Sequence, residues 1–368
     1  MKKSIVQLAA VFLLIISLLL ACVGTAGAAE AGSRTLTDMN GRRVTVPEKI
    51  QTVVPLGGAL RFLVYMQSLD LVVGMERIEQ RRLVAGRLYG LATVDLAPKL
   101  PVIGEGGAGG KLPDFERIIE LWPDVIIAMG LEASQIEIIE QKTGRSVFAL
   151  NYGQPGVLDV PSVRTALTLL GDLLGRSERS TQLIAQIDQI EADLARRTAG
   201  ISKTEQQAAY VGAISFKGAQ GITSTEAFYA PLAWAGGKNV AAEVNRAGHI
   251  FIDPEQILAW NPERIFLDAG GLETVQADYQ KKPGFYQQLQ AVQKQQVYLL
   301  MPYNLYHTNI EIAYADAYVI GKTLYSDRFQ DIEPASKADE IFQAFIGMKG
   351  YEALKKEYGG FQQLVLGN

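Results

Sequence analysis

Short apolar runs alternate with segments of helical length along most of this chain. A first series of runs occupies residues 52–55, 71–74, 101–104, 125–129 and 147–150. Continuous apolar strands that alternate with helices are typical of a parallel sheet covered on both faces. A second series occupies residues 209–214, 264–268 and 297–301. The pattern therefore predicts an α/β fold built from two strand–helix units.

Other patterns lie before, between and after these units. Alternating residues at 35–39 and 42–46 flank Asn40-Gly41, which predicts a hairpin with a two-residue turn. The segment 162–197 has no strand signal, and its second part spaces apolar residues three or four apart, as on one helix face. We expect residues 310–366 to be mainly helical.

A segment of the first unit recurs in the second. DFERIIELWPDVII at 114–127 aligns without a gap with DPEQILAWNPERIF at 253–266, at a constant offset of 139 residues. Each copy predicts an Asp N-cap, a two-turn helix, a turn containing Pro and a buried strand. The repeat favours two lobes of like topology joined by a helix. Chance similarity between two ordinary helix–strand units is the alternative.

The N-terminus predicts an export signal. Lys2 and Lys3 precede an apolar run at 6–21, followed by small residues. Cys22 ends a Leu-Leu-Ala-Cys segment that resembles a lipobox, so lipidation of Cys22 is one processing route; cleavage after residue 28 is the other. We expect an extracytoplasmic protein, either periplasmic or lipid-anchored on the outer face of the cytoplasmic membrane.

These patterns divide the chain into five predicted segments. They are a signal peptide (1–28), an N-terminal lobe (34–161), a linking helical segment (162–198), a C-terminal lobe (199–330) and a C-terminal helical extension (331–368).

Composition argues against several classes of function. The 368 residues carry 35 Lys and Arg against 39 Asp and Glu, and no basic stretch favours nucleic-acid binding. One cysteine and two histidines exclude a disulfide framework and a cysteine-based zinc site. No GxSxG, HExxH or Walker A motif occurs. Gly104, Gly106 and Gly109 match GxGxxG, but Lys-Leu-Pro follows where a dinucleotide site needs a helix. We expect no enzyme and no cofactor.

Several segments together resemble one protein family. PEKIQTVV at 47–54 follows the hairpin as in that family's start, and LPDFERI at 112–118 precedes WPDVII at 122–127. AGGKNVA at 235–241 and the segment 253–262 are similar to its second half. Residues from about 34 to 325 thus resemble the helix-linked (class III) substrate-binding proteins of ABC importers for ferric siderophores, haem, cobalamin and some oxyanions. The chain beyond residue 302 resembles the iron-complex subgroup.

The resemblance implies two Rossmann-like lobes that face each other across a ligand cleft and are bridged by one long α-helix. It implies a receptor that captures an iron complex, a ferric siderophore or similar metal chelate, and delivers it to the permease dimer of an ABC importer. We expect a monomer. Cobalamin, haem and molybdate or tungstate are the alternative ligands. An exported enzyme or adhesin on the same frame is the alternative outside the family.

Loops at the carboxyl ends of the strands should line the cleft. After the run at 297–301, Tyr303, Tyr306 and His307 offer phenols and an imidazole that can bind a metal or stack on a flat ligand. Their alternative is packing under the next helix, with His307 at the surface. No defined metal site follows from these residues.

Three further residues are candidate ligand contacts. Arg61, just after the first strand, can pair with a ligand carboxylate or oxyanion. Its alternative is a solvent-exposed helix arginine. Phe216 and Lys217 occupy the equivalent loop of the second lobe and offer a stacking face and a cation.

Glu116 and Glu255 are equivalent in the two copies of the repeat. Each follows a capping Asp by two residues, and the helix dipole favours a carboxylate there. We expect the acids to be exposed, because the buried helix face is assigned to Ile118, Ile119, Ile257 and Leu258. The resemblance implies that they match a pair of glutamates that meet arginines on the two permease subunits. The alternative is that they only satisfy helix ends.

Overall fold

A computed structural model describes residues 32–81, 86–107, 111–153, 157–304 and 307–367. The predicted signal peptide with Cys22, and Tyr306 of the candidate site, lie outside these ranges. Within them, no helix combines the length and the apolar character that crossing a bilayer requires. The predicted domain boundaries stay predictions.

The chain enters the fold through the predicted hairpin. Strand β1 (Ser33–Thr37) pairs antiparallel with β2 (Arg43–Pro47). The predicted two-residue turn is wrong, because residues 38–42 form the connection. The buried Asp38 carboxylate accepts hydrogen bonds from the backbone N–H groups of Asn40 and Arg42, and this side-chain turn replaces an Asn-Gly turn.

The first lobe contains a three-stranded parallel sheet. Its strands, in spatial order, are β3 (Val53–Leu56), β4 (Val125–Met129) and β5 (Val147–Leu150), and all their residues are buried. The apolar runs at 71–74 and 101–104 were predicted as strands but form only isolated bridges. Pro101 has no backbone N–H to donate, which limits pairing at the second run.

The second lobe contains a five-stranded sheet in the order β12-β11-β10-β6-β8 and a separate antiparallel pair, β7 with β9. The strands are β6 (Ala208–Gly212), β7 (Ser224–Glu226), β8 (Lys238–Asn239), β9 (His249–Phe251), β10 (Arg264–Asp268), β11 (Val297–Leu300) and β12 (Gln362–Leu364). Only β12 runs antiparallel in the large sheet. It carries no apolar run, and the C-terminal part was accordingly predicted without a strand.

Helices surround both sheets. They are α1 (Leu60–Tyr65), α2 (Arg77–Arg81), α3 (Phe115–Leu121), α4 (Ala133–Thr143), α5 (Val160–Leu174), α6 (Ser177–Thr198), α7 (Ala230–Trp234), α8 (Pro254–Trp260), α9 (Leu272–Lys281), α10 (Pro283–Gln288), α11 (Gln290–Gln293), α12 (Ile310–Leu324), α13 (Pro334–Ile346) and α14 (Tyr351–Tyr358). The predicted two-lobed α/β fold is confirmed, and α6 is the long helix that leads from the first lobe to the second.

The internal repeat is present in three dimensions. α3 and α8 both span seven residues and are capped by Asp114 and Asp253, whose carboxylates accept hydrogen bonds from backbone N–H groups of the first turn. Both helices end at a left-handed residue. β4 and β10 then follow at the same offset of 139 residues.

The buried face predicted for these two helices is partly wrong. Ile118 and Ile257 are fully buried, but Ile119 is 42% exposed and Leu258 is only partly buried. A helix of two turns has few positions that face the sheet, and here residues 118 and 257 occupy them.

One hydrophobic core extends through both lobes. It joins apolar residues of β3 and α1, the helices α5 and α6, the helices α12 and α13, and β6 of the second lobe. Every residue from 310 to 321 in α12 is buried, as expected of a helix surrounded by protein. The C-terminal segment contributes to both lobes, since α13 packs against α1 and β12 pairs with β11.

We expect ligand binding to cause only a small rotation of the lobes. The 22-residue helix α6 is continuous over about 33 Å, and the shared core resists a wide opening. Small-angle X-ray scattering before and after addition of a saturating ferric chelate should give the same radius of gyration within error. A large compaction would contradict the helical bridge.

Candidate functional site

The carboxyl edges of the two sheets meet at His307. Its imidazole lies beside Gly58, which follows β3, and Gly130, which follows β4; a Cβ on Gly58 would lie 2.7 Å from the imidazole Cδ2. The ring also makes an edge contact with Tyr152, beyond β5, at a centroid distance of 6.1 Å. A residue of the second lobe therefore contacts the ends of all three strands of the first.

The His307 side chain is neutral in this position. Burial, and to a smaller extent the positive charge of Arg61, lower the pKa of His307 to about 4. Its backbone has a φ of 68°, in the left-handed region that few residues other than glycine adopt. A neutral imidazole is the form that coordinates a metal or accepts a hydrogen bond.

Arg61 lies in the interior and connects the lobes. Its Nε and Nη2 donate hydrogen bonds to Asn309 Oδ1 over 3.2 and 3.1 Å, and Nη2 also donates to the carbonyl oxygen of His307 over 3.4 Å. The guanidinium carbon lies 4.7 Å from the centroid of the Tyr89 ring. The alternative of a solvent-exposed arginine is wrong, because every residue of α1 is buried. A ligand contact by Arg61 stays a prediction.

Tyr303 is buried within the second lobe. Its hydroxyl donates a hydrogen bond to Glu226, and its ring lies edge-on to Tyr229 at a centroid distance of 5.2 Å. Asn304 Nδ2 donates to the other oxygen of Glu226 over 2.7 Å. Participation of Tyr303 and Tyr306 in ligand binding stays a prediction.

Three buried carboxyl groups lie beneath the loops of the second lobe. They belong to Glu226, Asp268 and Asp316, all at most 2% exposed. Burial raises the pKa of Glu226 to about 7, that of Asp268 to about 8 and that of Asp316 well above its usual value. Asp268 Oδ1 accepts from the N–H of Gly270 and Asp316 Oδ1 from that of Met301. These acids bind the loops after β10 and β11 through hydrogen bonds, and burial favours their protonated forms.

None of these three acids was predicted from the sequence as a site residue. The sequence contains a feature that could have predicted Asp268 as a site residue, since it ends an apolar strand at the carboxyl edge of the sheet. No such feature marks Glu226 or Asp316. Glu226 lies in a short polar strand, and Asp316 lies inside a helix whose burial on all sides depends on tertiary packing.

Phe216, His249 and Lys217 form an aromatic edge on the second lobe. The rings of Phe216 and His249 stack with centroids 4.0 Å apart and an interplanar angle of 4°, and Lys217 Nζ lies 5.4 Å from the Phe216 centroid. Ser224 and the His249 Nε2 atom share a 2.7 Å hydrogen bond that fixes the imidazole. His249 is half-buried against Phe216.

The aromatic edge belongs to the same side of the sheet as His307. Phe216 follows β6, and β6 lies two strands away from β11, after which the His307 loop begins. At the usual strand spacing, β6 and β11 lie about 10 Å apart. The loops that follow these two strands therefore border the candidate ligand cleft.

Glu116 and Glu255 are exposed on the first turns of α3 and α8. Each helix leads into the amino end of the next parallel strand, so its own first turn lies at the carboxyl edge of its sheet. Both acids therefore lie on the side of the molecule that carries the cleft.

No group of three or more His, Cys, Asp or Glu residues with metal-binding geometry occurs in the part of the chain that the structure describes.

Comparison with known proteins identifies the family. A family model described as periplasmic binding protein matches residues 97–303, more than half of the chain, and the chain belongs to that family. The helix between the lobes agrees with the helix-linked class that serves ABC importers, so the family prediction is confirmed. No curated protein sequence matches the chain.

Solved structures of the same fold come from several bacteria. The molybdate-bound periplasmic binding protein of a Haemophilus influenzae ABC transporter has a TM-score of 0.69 at 19% identity, over 86% of this chain and 98% of that one. A Helicobacter pylori protein with bound Ni(II) has a TM-score of 0.62 at 14% identity, over 88% and 99%. A protein of an Fe3+-hydroxamate transport system from Saccharomonospora viridis has a TM-score of 0.55 at 20% identity, over 79% and 99%.

We expect Glu226 to make the protein less stable as pH rises. The folded state binds the Glu226 proton more tightly than the unfolded chain does, so this stabilisation is complete below pH 4.5 and is lost as pH rises through about 7. The shift corresponds to about 3 kcal/mol of unfolding free energy. Urea unfolding should show that the free energy of unfolding falls less between pH 5 and pH 8 for Glu226→Gln than for the unmodified protein.

Tyr303→Phe is the matched control for this measurement. The Tyr303 hydroxyl lowers the pKa of Glu226, so its removal should move the loss of stability to higher pH. If the free energy of unfolding depends on pH in the same way in all three proteins, the contribution assigned to Glu226 is wrong.

Proposed function

We propose that this protein is an extracytoplasmic receptor that captures an iron complex, a ferric siderophore or similar metal chelate, in the cleft between its lobes. It delivers the complex to the permease dimer of an ABC importer as a monomer and without chemical change. The segment 1–28 first directs export of the protein, and lipidation of Cys22 would anchor the exported protein to the membrane.

The aromatic edge is the observation that carries this proposal. Backbone N–H groups, hydroxyls and charges suffice to hold a bare oxyanion or metal ion, whereas exposed ring faces favour an organic ligand. Phe216 and Lys217 together suit a flat chelate that carries negative charge. His307, in the loop after another strand of the same sheet, adds a neutral imidazole at the same edge.

The remaining candidates complete the proposed binding surface. Tyr306 belongs to the loop between Tyr303 and His307, and Arg61 bonds to the carbonyl oxygen of His307. The contribution of Arg61 is to hold this loop in place, and that of Tyr306 is to contact the ligand. The similar fold of a protein from an Fe3+-hydroxamate transport system supports an iron chelate as the ligand.

We expect ferric chelates to quench the intrinsic fluorescence of the protein saturably. Phe216→Ala and Lys217→Gln should each weaken binding by about 1–3 kcal/mol, the usual range for anchor residues. Both side chains are exposed, so the fold should survive. Titration with a ferric catecholate and a ferric hydroxamate, with native mass spectrometry for stoichiometry, measures the effect.

Val365→Ala is the matched control, because Val365 is 47% exposed and follows β12 at the opposite edge of the sheet. Failure of the unmodified protein to bind either chelate, with molybdate bound instead, would overturn the iron-complex proposal. Turnover of any bound compound would favour an enzyme.

We expect Glu116 and Glu255 to act in docking and not in ligand binding. Glu116→Ala with Glu255→Ala should abolish uptake of the radioactive iron chelate by the native host, because each lobe loses the acid that meets the permease. Chelate affinity should stay unchanged in the purified double variant. Normal uptake by cells that carry the folded double variant would contradict the docking role.

A further inference from the structure

Trp122 combines a large exposed side chain with a backbone conformation that bulky residues rarely adopt. It ends α3 with a φ of 47°, in the left-handed region, and it is 62% exposed. The matching residue at the end of α8 is Asn261, with a φ of 39°. Asparagine tolerates this conformation well, and Asn261 Oδ1 accepts a hydrogen bond from the Gln290 N–H over 2.8 Å. The first lobe therefore carries a tryptophan at a position that the fold itself can fill with asparagine.

The indole of Trp122 stacks on a cation that has no acidic partner. The guanidinium carbon of Arg145 lies 4.1 Å from the centroid of the Trp122 ring, and the buried Arg145 Nε has no hydrogen-bond partner. Within the part of the chain that the structure describes, Arg145 forms no ion pair. Arginine can stack on an aromatic ring and pair with a phosphate at the same time. Trp122 and Arg145 thus present an apolar ring and an uncompensated positive charge at one place on the surface.

This pair lies at the amino edge of the first sheet. Trp122 shortly precedes β4, and Arg145 shortly precedes β5. These strands are parallel, so they begin at the same edge of the sheet. The candidate cleft lies at the carboxyl edge, beside Gly58 and Gly130. The exposed indole is therefore on the side of the lobe that faces away from the cleft.

The chain also enters the fold at the amino edge. The Gly32 carbonyl accepts a hydrogen bond from the Glu48 N–H, and the Gln51 N–H donates to Asp124 Oδ2, two residues after Trp122; both bonds measure 2.6 Å. Nine residues separate Gly32 from the cysteine of the lipobox-like segment. Nine residues span at most about 30 Å. A lipid on that cysteine would hold this edge near the bilayer.

Further basic residues lie along the same edge. Lys49 leads into β3, and Lys142 lies in the last turn of α4, three residues before Arg145. Both lysines are exposed, and neither forms an ion pair with a described residue. The acids beside them are the exposed Glu48 and Asp124, whose carboxylate accepts two backbone N–H groups. The three cations outnumber these two acids, and a basic surface of this kind attracts anionic lipid headgroups.

We propose that Trp122, with Arg145 stacked on it, docks the amino edge of the first lobe on the headgroup region of an anionic phospholipid bilayer. This inference rests on the export given under the proposed function, and lipidation of Cys22 would strengthen the contact. Tryptophan favours the membrane interface, because its ring is apolar and its N–H is polar. The cleft then opens away from the bilayer. Glu116 and Glu255 lie on the cleft side, so contact with the bilayer and docking to the permease exclude each other.

Fluorescence quenching by lipid tests the location of the indole. The protein, as its host processes it, is combined with phosphatidylcholine vesicles that contain about 30% phosphatidylglycerol and carry bromine on the acyl chains near the headgroups. Tryptophan emission should be quenched, and Trp122→Asn should abolish the quenching. Asparagine suits the left-handed position, so the fold should survive. Trp260→Phe, at the end of the matching helix α8, is the matched control and should keep the quenching.

Vesicle affinity measures the contribution of each side chain. The protein that begins at residue 29, the second processing route, is used so that no lipid contributes, and all described residues are retained. Trp122→Asn should weaken binding to the anionic vesicles about tenfold, because the ring is no longer buried. Arg145→Gln should weaken it about fivefold, and binding should fall as salt rises. Val365→Asn, exposed in the second lobe, is the matched control.

The outcomes separate this inference from the proposed function. If Trp122 is not quenched on anionic vesicles, the inference is wrong, whether or not Cys22 carries a lipid. A dimer in lipid-free solution that Trp122→Asn converts to a monomer would assign the indole to a second copy of the chain and would also overturn it. If the protein binds no ferric chelate but its indole enters the bilayer, the ligand proposal fails and the membrane contact stands.

Discussion

The hydrogen bonds between Arg61 and Asn309 join the two lobes in the interior of the protein. They join the first helix of one lobe to the residue that precedes α12 of the other, in a region without solvent. A hydrogen bond to a buried charge contributes about 1.5–3 kcal/mol, and its loss leaves a desolvated charge. Because Asn309 follows His307 by two residues, the same contact sets the position of the imidazole between Gly58 and Gly130.

The two lobes organise their cleft loops by different electrostatic means. The first lobe buries a charged network, in which Arg87 pairs with Glu79 and Tyr89 donates to the same carboxylate. The second lobe buries Glu226, Asp268 and Asp316 with few cations nearby, so protonation replaces pairing. Burial also raises the pKa of Glu79 in the first lobe, but there the charge of Arg87 opposes the effect.

The sequence predicted most of the regular structure because burial leaves a local pattern. Strands β3, β4, β5, β6, β10 and β11 are continuous apolar runs, and the repeat at a constant offset survives in α3 with β4 and in α8 with β10. The turn at 38–42 was predicted wrongly, since a buried side chain, Asp38, determines it. Strand β12 has no pattern of its own and depends on pairing with β11.

The candidate site was less predictable because its contacts join residues that are distant in sequence. Arg61 meets Asn309 across 248 positions, and Tyr303 meets Glu226 across 77. Loop position alone located His307, Phe216 and Lys217 at the carboxyl edges of the strands, but it gave neither the burial of Arg61 and Tyr303 nor the stacking of His249. Whether a side chain faces a ligand or a neighbour depends on packing between elements.

The core shared by the two lobes limits how far Glu116 and Glu255 can move relative to each other. Apolar residues continuous from β3 through α12 to β6 allow the lobes little independent motion, so the distance between Glu116 and Glu255 is nearly fixed by the fold. A partner that contacts both acids then recognises the whole two-lobed molecule and not one lobe. In the proposed docking mode, the small rotation expected on ligand binding changes the match at two separated contacts at once, and the free-energy differences at the two contacts add. Rigid lobes would thus allow a small change at the cleft to be detected at the two acids.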